Sequence, residues 1–462
     1  MWEERIGMES TTLKIRRVAL DEIHLDPANA REHGEENLEA IIGSLKRFAQ
    51  VEPLVVQKKS GRVIGGNGRL VAMKKLGWTE CDIVEVDVDD LQATALGIAL
   101  NRSASLAGWN DQTLAKLLEE LKTNDALDGI GYSVDDLNKL LDSIQINAMP
   151  DGDPDQVPEP PDEAVTRPGD LWVLGPHRLL CGDSSKLEDV DRLLAGAKIQ
   201  LVNTDPPYNV KVEPRSNNAI AAGNSSFKGT HHQKLDLARH PEKSKRTTKK
   251  MRAKDRPLAN DFVSDDEFDR LLRAWFGHMA RVLEPGKAFY IWGGYANLGN
   301  YPPVLKESGL YFSQGIVWVK EHPVLTRKDF MGNFELAFYG WREGAGHKFH
   351  GPNNVADVWQ VKKVNPQSMV HLTEKPVELA RRAILYSSLR GDNVLDLFGG
   401  SGSTLVACQE TARQAYLLEI DAPYVDVTVT RWQKLTGKSA VLEGTAKTFD
   451  AVADERKVEV TA

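Results

Sequence analysis

The spacing of apolar positions changes character several times along this chain. Leu38, Ile41, Ile42 and Leu45 recur at three- and four-residue intervals and predict a helix, whereas 51–56 and Arg62-Val63-Ile64 predict strands. The turn Gly65-Gly66-Asn67-Gly68-Arg69 leads into a short helix expected to stop at Gly77, and 82–86 reads as a closing strand. These signals describe a compact α/β module over 12–100. Leu114, Leu117, Leu118 and Leu121, then Leu137, Leu140 and Leu141, predict two small helices split by Gly129 and Gly131, a helical appendix over 101–145. Residues 146–168 are dense in Pro and Asp and read as a linker.

A larger α/β domain is expected over 169–436, with strands at 200–203, 288–292, 315–318, 393–396 and 415–419. Between the first two, Ser264 and Glu267 carry the signature of a capping box. Phe268, Leu271, Leu272, Trp275, Met279, Val282 and Leu283 then make one apolar helix face, which Pro285-Gly286 is expected to end. Strand alternating with helix predicts a mostly parallel sheet covered on both faces. Residues 437–462 read as a polar, frayed tail.

Composition narrows the classes. A chain of 462 residues has room for two or three domains. No apolar run approaches the roughly 20 residues that span a bilayer, and Met1-Trp2-Glu3-Glu4-Arg5 lacks a signal-peptide pattern, so a cytoplasmic protein without membrane contact is expected. Cys81, Cys181 and Cys408 are scattered and read as reduced, buried thiols. The pairs His231/His232 and His347/His350 lack cysteine or carboxylate partners at ligand spacing, so no metal is expected. A formal charge of −8 argues against a protein that coats nucleic acid, but 211–256 holds 13 Lys/Arg against four Asp/Glu. Local field matters more than the sum, and a basic insertion over 211–258 is a candidate phosphate contact.

Chemistry concentrates in two segments. Asn203-Thr204-Asp205-Pro206-Pro207-Tyr208 follows an apolar run. An exocyclic base amine is a poor nucleophile because its lone pair is delocalised into the ring, and a pair of acceptors can draw that lone pair out. The Asp205 carboxylate and the Pro206 carbonyl can accept its two hydrogens. Pro206 and Pro207 stiffen the loop that aims them, and Tyr208 offers a ring for a base to stack on. Such a base must first leave the duplex, at a cost of roughly a few kcal/mol. Far downstream, Asp396-Leu397-Phe398-Gly399-Gly400-Ser401-Gly402 is a tight glycine turn between a strand and a helix that starts near Ser403 and contains Thr404. Glu419 lies about twenty residues on, at the end of the next strand, where a carboxylate binds ribose hydroxyls. The spacing fits a nucleoside-containing cofactor.

With both motifs in place, the chain resembles the amino-group DNA methyltransferases that use S-adenosylmethionine, in the permuted β arrangement in which the catalytic motif precedes the cofactor motif. The resemblance covers most of 169–436. It implies a Rossmann-like α/β fold with a mixed, mostly parallel sheet, S-adenosylmethionine as cofactor, DNA as partner, and direct in-line attack without a covalent enzyme intermediate. It also includes Cys181-Gly182-Asp183-Ser184, whose acidic residue in that family reaches toward the cofactor adenine. His371-Leu372-Thr373-Glu374-Lys375-Pro376 is similar to the family segment that cradles the methionine end, which adds His371, Thr373, Lys375 and Pro376 to Asp183, Ser184, Asp396, Phe398, Gly399, Gly400, Gly402, Thr404 and Glu419 as cofactor contacts. Leu372 stands where the family often has Pro, and Glu374 where it has Gln or Glu. Asn260-Asp261 and Trp318-Val319-Lys320 look like further landmarks. Aspartate at the first catalytic position favours adenine N6 in this family, whereas serine there often accompanies cytosine N4 methylation. Target recognition is placed at 342–369, with Gly344, His347, Lys348, His350, Asn353, Asn354, Lys362 and Lys363, or in the basic insertion; a solvated loop fits these residues equally. Relatives are often dimers, so a homodimer is a further possibility.

The first module resembles the ParB-like family, known from chromosome partition proteins and from fusions to phage or mobile-element methylases. The likeness rests on Asn29-Ala30-Arg31, on Gln50-Val51-Glu52-Pro53 and on the stretch from Val63 through Arg69 to Leu70. Partition proteins carry Glu-Arg-Arg after their glycine where this chain has Asn67-Gly68-Arg69. The resemblance implies a DNA-binding or positioning role, and the glycine turn before a helix is a candidate anion site. Two alternatives stay open: N4-cytosine methylation, or a ParB-like DNA-binding or nuclease module whose methylase half only senses cofactor. Intact Asp205, Tyr208, Phe398, Gly400 and Glu419 argue against the second.

Overall fold

The computed structural model describes residues 13–27, 29–147, 154–161, 163–209, 262–324, 329–362 and 375–456. The chain divides into two compact units, 1–144 and 145–462.

In the first unit, β1 (Ile15–Ala19), β2 (His24–Leu25), β3 (Leu54–Gln57), β4 (Arg62–Gly65) and β5 (Glu80–Val86) form a mixed sheet in the order β1-β5-β3-β4-β2. Helix α1 (Glu35–Phe48) lays the predicted stripe on it, with Leu45 buried and Ile41 and Ile42 packed alongside. Helix α2 (Asn67–Lys75) begins at Gly66. There φ is +98°, and an added Cβ would stand 2.6 Å from Leu54 Cδ2, so both backbone and space demand glycine. Helix α3 (Asp90–Leu106) lacks a clear apolar stripe in the sequence; its signal is the capping box between Asp89 and Gln92, closed by bonds of 2.8 and 3.1 Å. Helices α4 (Asp111–Thr123) and α5 (Val134–Asn147) follow, and Leu114, Leu118 and Leu137 bury together.

The second unit is built on β6 (Leu171–Leu174), β7 (His177–Cys181), β8 (Ile199–Thr204), β9 (Leu283–Gly293), β10 (Leu310–Val324), β11 (Gly332–Arg342), β12 (Val358–Gln360), β13 (Asn393–Asp396), β14 (Gln414–Glu419) and β15 (Val441–Leu442). Among the described residues the sheet order is β12-β10-β11-β9-β8-β13-β14-β7-β6-β15. The run β9-β8-β13-β14-β7 is parallel throughout, and β10, β11, β6 and β15 add antiparallel pairs toward the edges. Side chains alternate between two cores, as a two-faced sheet requires: Leu201, Tyr290 and Leu417 point one way, Val202, Phe289 and Leu418 the other. The first face is covered by α9 (Val377–Ser387), α10 (Ser403–Glu410), α11 (Ala422–Thr436) and α12 (Phe449–Arg456). The second is covered by α6 (Leu187–Leu194), α7 (Asp265–Val282) and α8 (Tyr301–Glu307).

Four expectations change. Ser264 Oγ accepts the Glu267 N–H at 3.3 Å, but the Glu267 carboxylate turns to the Arg270 guanidinium at 2.7 and 2.8 Å, so only half of the capping box forms. Helix α7 ends at Val282, ahead of Pro285-Gly286 as expected, but Leu283, expected on the helix face, instead opens β9. The described part of the supposed linker is fastened to the second unit. Val157 is buried against Tyr424 and Val427, while the Val165 and Thr166 N–H groups donate to the Asp426 carboxylate at 2.6 and 3.0 Å. A Pro-rich segment that makes no ladder needs such an outside acceptor.

Residues 437–456, finally, are not a frayed tail. Strand β15 pairs with β6, and Phe449, Val452 and Ala453 sit at helical spacing, with the Phe449 ring edge-on to Trp172 at 5.1 Å. Arg456 pairs with Asp170 at 2.5 Å. A Phe449→Ala change is expected to lower the stability of this unit by about 3–5 kcal/mol, the range for emptying a buried aromatic site. Denaturant unfolding checks it, and an unchanged midpoint would return these residues to a dispensable tail.

Candidate active site

Two loops leave the sheet at one place. Strands β8 and β13 are parallel neighbours, with Leu201 opposite Val394 and Val202 opposite Leu395. The chain after β8 continues to β9 on one side, whereas the chain after β13 crosses through α10 to β14 on the other. Connections that diverge from adjacent parallel strands open a crevice at their carboxyl ends, where doubly wound sheets bind ligands. Asp205 follows β8, the glycine turn follows β13, Glu419 ends β14 and Asp183 follows β7.

A buried carboxylate ties the two central loops together. Asp396 Oδ1 accepts the Thr204 hydroxyl at 2.8 Å and the Phe398 N–H at 3.0 Å, and Oδ2 accepts the Thr404 hydroxyl at 2.7 Å. Thr404 Oγ1 in turn accepts Asn203 Nδ2 at 3.0 Å. Burial pushes the Asp396 carboxyl up to about 6, against these hydrogen bonds, which pull it down. The side chains of Asp396 and Thr404 thus bind protein, and what they present to a ligand is the register of the loops they hold.

The glycine turn is shaped from the same side. Gly402 has φ +85°, and an added Cβ would meet the Thr428 side chain at 2.9 Å. Gly399 N–H donates to Leu418 O at 2.8 Å, Gly400 N–H to Glu419 Oε2 at 2.8 Å, and Asp421 N–H to Glu419 Oε1 at 2.9 Å. Phe398 stands edge-on to Trp275 at 4.9 Å, which fixes its ring at the rim of the turn. Burial pushes the Glu419 carboxyl up to about 7, with the Asp421 and Gly400 N–H groups pulling it back. Gly182 N–H donates to Glu419 O at 3.0 Å, which brings the next loop alongside. There Asp183 Oδ1 accepts Ser185 N and Oγ at 2.9 and 2.8 Å, a turn closure rather than a helix cap, and the buried Ser184 gives its carbonyl to His278 at 3.0 Å.

At the other loop the proteins' charges converge. Pro206 is buried, and Asp205, Pro207 and Tyr208 are half-buried. Tyr208 OH donates to Asp205 Oδ1 at 2.7 Å and accepts from Lys375 Nζ at 3.0 Å. Lys375, the residue before Pro376 at the start of α9, also pairs with Asp205 Oδ2, and it lies 3.2 Å from Glu335 Oε2. Glu335 pairs through Oε1 with Lys320. Two carboxylates therefore face two ammonium groups in a nearly closed box. Burial pushes the Asp205 carboxyl above its ordinary range, Lys375 opposes that and Glu335 adds to it. Burial would also raise Glu335, but Lys375 and Lys320 outweigh it and hold that carboxyl down at about 2. Burial, then the Asp205 and Glu335 charges, push the Tyr208 phenol well above its ordinary value, so it stays a donor. The loop beyond is pinned by Asn209, whose side chain both donates to and accepts from the Val263 backbone at 3.2 Å.

Sequence reasoning missed Glu335, and placed Lys320 only as a landmark. Trp318 and Glu335 face each other across β10 and β11, and a lone acid within Phe334-Glu335-Leu336-Ala337-Phe338 was the available signal. His371 and Thr373 lie outside the described residues, as do Asn260-Asp261, the 211–258 insertion and Lys363. His347 stacks on Trp341 at 4.3 Å with its ring nitrogens at 2.9 Å from Tyr339 OH and 3.0 Å from Gly286 O, so both nitrogens are engaged by the protein.

Three family models match the chain. A family described as DNA methylase matches 199–430, one described as ParB-methyltransferase HTH domain matches 112–168, and the ParB N-terminal domain matches 5–102. The type II methyltransferase M.Cfr9I of Citrobacter freundii is 35% identical over 141 residues, 28% of this chain and 47% of that protein. M.HpaI of Haemophilus parainfluenzae is 27% identical over 277 residues, 55% of this chain and 74% of that protein. The chain thus spans about half the length of the first of these relatives and about three quarters of the second. Among solved structures, an M1.HpyAVI–SAM complex is 19% identical with a TM-score of 0.39, covering 55% of this chain and 97% of that one. The cytosine-N4-specific PvuII DNA methyltransferase is 13% identical with a TM-score of 0.40, covering 64% and 94%. No described helix is long and apolar enough to cross a membrane.

Proposed function

We propose, from the premise that this chain belongs to the N6/N4 DNA methylase family, that it transfers a methyl group from S-adenosylmethionine to the exocyclic N6 of an adenine turned out of DNA. The observation that carries the reading is the pairing of Asp205 and the Phe398–Gly402 turn across adjacent parallel strands, locked by Asp396. Bound S-adenosylmethionine supplies an electrophilic methyl on a sulfonium sulfur. The glycine turn and Glu419 would hold its nucleoside end, with Asp183 and Ser184 beside it. The Asp205 carboxylate and the Pro206 carbonyl accept the two amine hydrogens and pull the nitrogen lone pair out of the ring, and Tyr208 walls the base. The new C–N bond would replace the C–S bond of the sulfonium, whose electrons would stay on sulfur. The surplus amine proton leaves by way of Asp205. Orientation, rather than covalent chemistry, carries the rate.

The cofactor half of the reading has a pH signature. Glu419 accepts ribose hydroxyls best when ionised, with both oxygens as acceptors, and burial pushes its carboxyl up to about 7. Cofactor affinity is expected to fall several-fold from about pH 8 to about pH 6, because protonation removes the charge and turns one acceptor oxygen into a donor. Glu419→Gln should bind more weakly at about pH 8 and lose the pH dependence; calorimetric titration with S-adenosylmethionine decides, and a flat profile in the unaltered protein would remove Glu419 from the site.

The function itself is tested by incubating the full-length protein with unmethylated bacterial DNA and methyl-labelled S-adenosylmethionine and identifying the labelled nucleoside by mass spectrometry. N6-methyladenine is expected. Label in N4-methylcytosine would keep the reaction and change the base, and no label in DNA would favour a module that only senses cofactor.

A further inference from the structure

Both oxygens of Asp205 are already taken. Oδ1 accepts from Tyr208, and Oδ2 holds the Lys375 ammonium. An ammonium and an amine are both N–H donors, so Lys375 Nζ occupies the seat that an acceptor amine needs. It is no surface lysine: its side chain is 9% exposed, and its Nζ lies 5.4 Å from the centre of the Tyr208 ring, which would wall a base, and 5.5 Å from that of the buried Trp292. To leave Asp205 it must have somewhere to go, because a buried ammonium without a counter-ion is strongly disfavoured.

Glu335 is that place. It meets Lys375 Nζ at 3.2 Å while Lys375 holds Asp205, and its other oxygen is anchored by Lys320, itself 8% exposed. Its 3.4 Å separation from Tyr208 OH is not a second bond, since the one phenolic hydrogen already points to Asp205. We propose that Glu335 is a positioning residue that takes over the Lys375 ammonium when the acceptor amine displaces it from Asp205, so that Lys375 plugs the empty seat and Glu335 makes the plug removable. The inference rests on the methyl-transfer function proposed above. The exchange is ionic: Lys375 keeps its three protons, no covalent bond changes, and the box holds two positive and two negative groups before and after. Charge in the pocket is thereby constant, and Asp205 remains anionic while it waits.

The test is a double-mutant cycle on methyl transfer to DNA by the full-length protein, with cofactor affinity and melting temperature measured beside it. Glu335→Gln leaves Lys375 with Asp205 as its single carboxylate, and kcat/KM for DNA should fall about tenfold or more with cofactor Kd within about twofold. In a Lys375→Gln background the same change should cost less than about twofold, because nothing is left to hand over. Glu335→Asp, which keeps the charge and serves if Glu335→Gln folds poorly, should recover part of the loss relative to Glu335→Gln and lose it again beside Lys375→Gln. Equal cost in both backgrounds would mean that Glu335 is only structural and would overturn the proposal. So would a Glu335→Gln protein as active as the parent, or a Lys375→Gln protein as silent as Asp205→Ala, since that would put Lys375 in the chemistry. A parent protein that labels no DNA would instead defeat the function itself and this inference with it.

Discussion

An Asp205→Ala protein is expected to bind S-adenosylmethionine with near-parental affinity and to transfer methyl groups about a thousandfold more slowly, or worse. Loss of a single preorganised electrostatic contact to a reacting group costs about 10²–10³ in rate, and here the lost group also orients the amine. The change should spare the fold: Asp205 is half-buried, and the loop is held by Thr204, Pro206 and Asn209 through contacts that do not use its carboxylate. Lys375 keeps Glu335 as its partner. Asp205→Asn retains an acceptor oxygen without the charge and should fall between the two. Cofactor titration and transfer rate must be read together, because equal loss of both would point to misfolding.

Asp396→Leu carries the largest expected structural effect. It orphans two buried hydroxyls, those of Thr204 and Thr404, and the half-buried Phe398 N–H. Each costs about 1–3 kcal/mol when left unpaired. Part of that is offset, because the carboxyl that disappears was itself disfavoured by burial, which pushes it up to about 6. A net loss of about 3–5 kcal/mol is expected, together with loss of cofactor binding, since the turn from Phe398 to Gly402 no longer has a fixed relation to β8. Asp396→Asn keeps one acceptor oxygen and should lose about 1–3 kcal/mol. Denaturant unfolding followed by cofactor titration distinguishes the two variants, and a parental midpoint for Asp396→Leu would show that the loops are held by packing alone.

Local chemistry made much of this readable from the sequence. The apolar face of α7, the strand that ends in Thr204 and the glycine turn before Ser403 are each written in a short contiguous stretch, and each appears where its residues place it. What joins them is not local. Asp205 and Lys375 are 170 residues apart, Thr204 and Asp396 192, and no spacing rule reaches that far. Glu335 was hidden because its meaning depends on which strand lies beside β11. The polar appearance of the described parts of 146–168 and 437–462 misled for a different reason. A few apolar side chains, Val157, Val165, Phe449 and Val452, suffice to dock a mostly polar segment when its backbone finds partners such as Asp426 and Trp172 lies ready to receive a ring. Composition averages over those few residues, and packing does not.

The most direct test of the account is a single-turnover experiment with methyl-labelled S-adenosylmethionine and DNA, quenched over time, with label counted separately on DNA and on protein for the parent and for Asp205→Ala. Label should pass to a DNA amino group with no labelled-protein transient in the parent, while Asp205→Ala holds the cofactor and transfers about a thousandfold more slowly or worse; a methylated-protein transient, or transfer by Asp205→Ala at the parental rate, would contradict it.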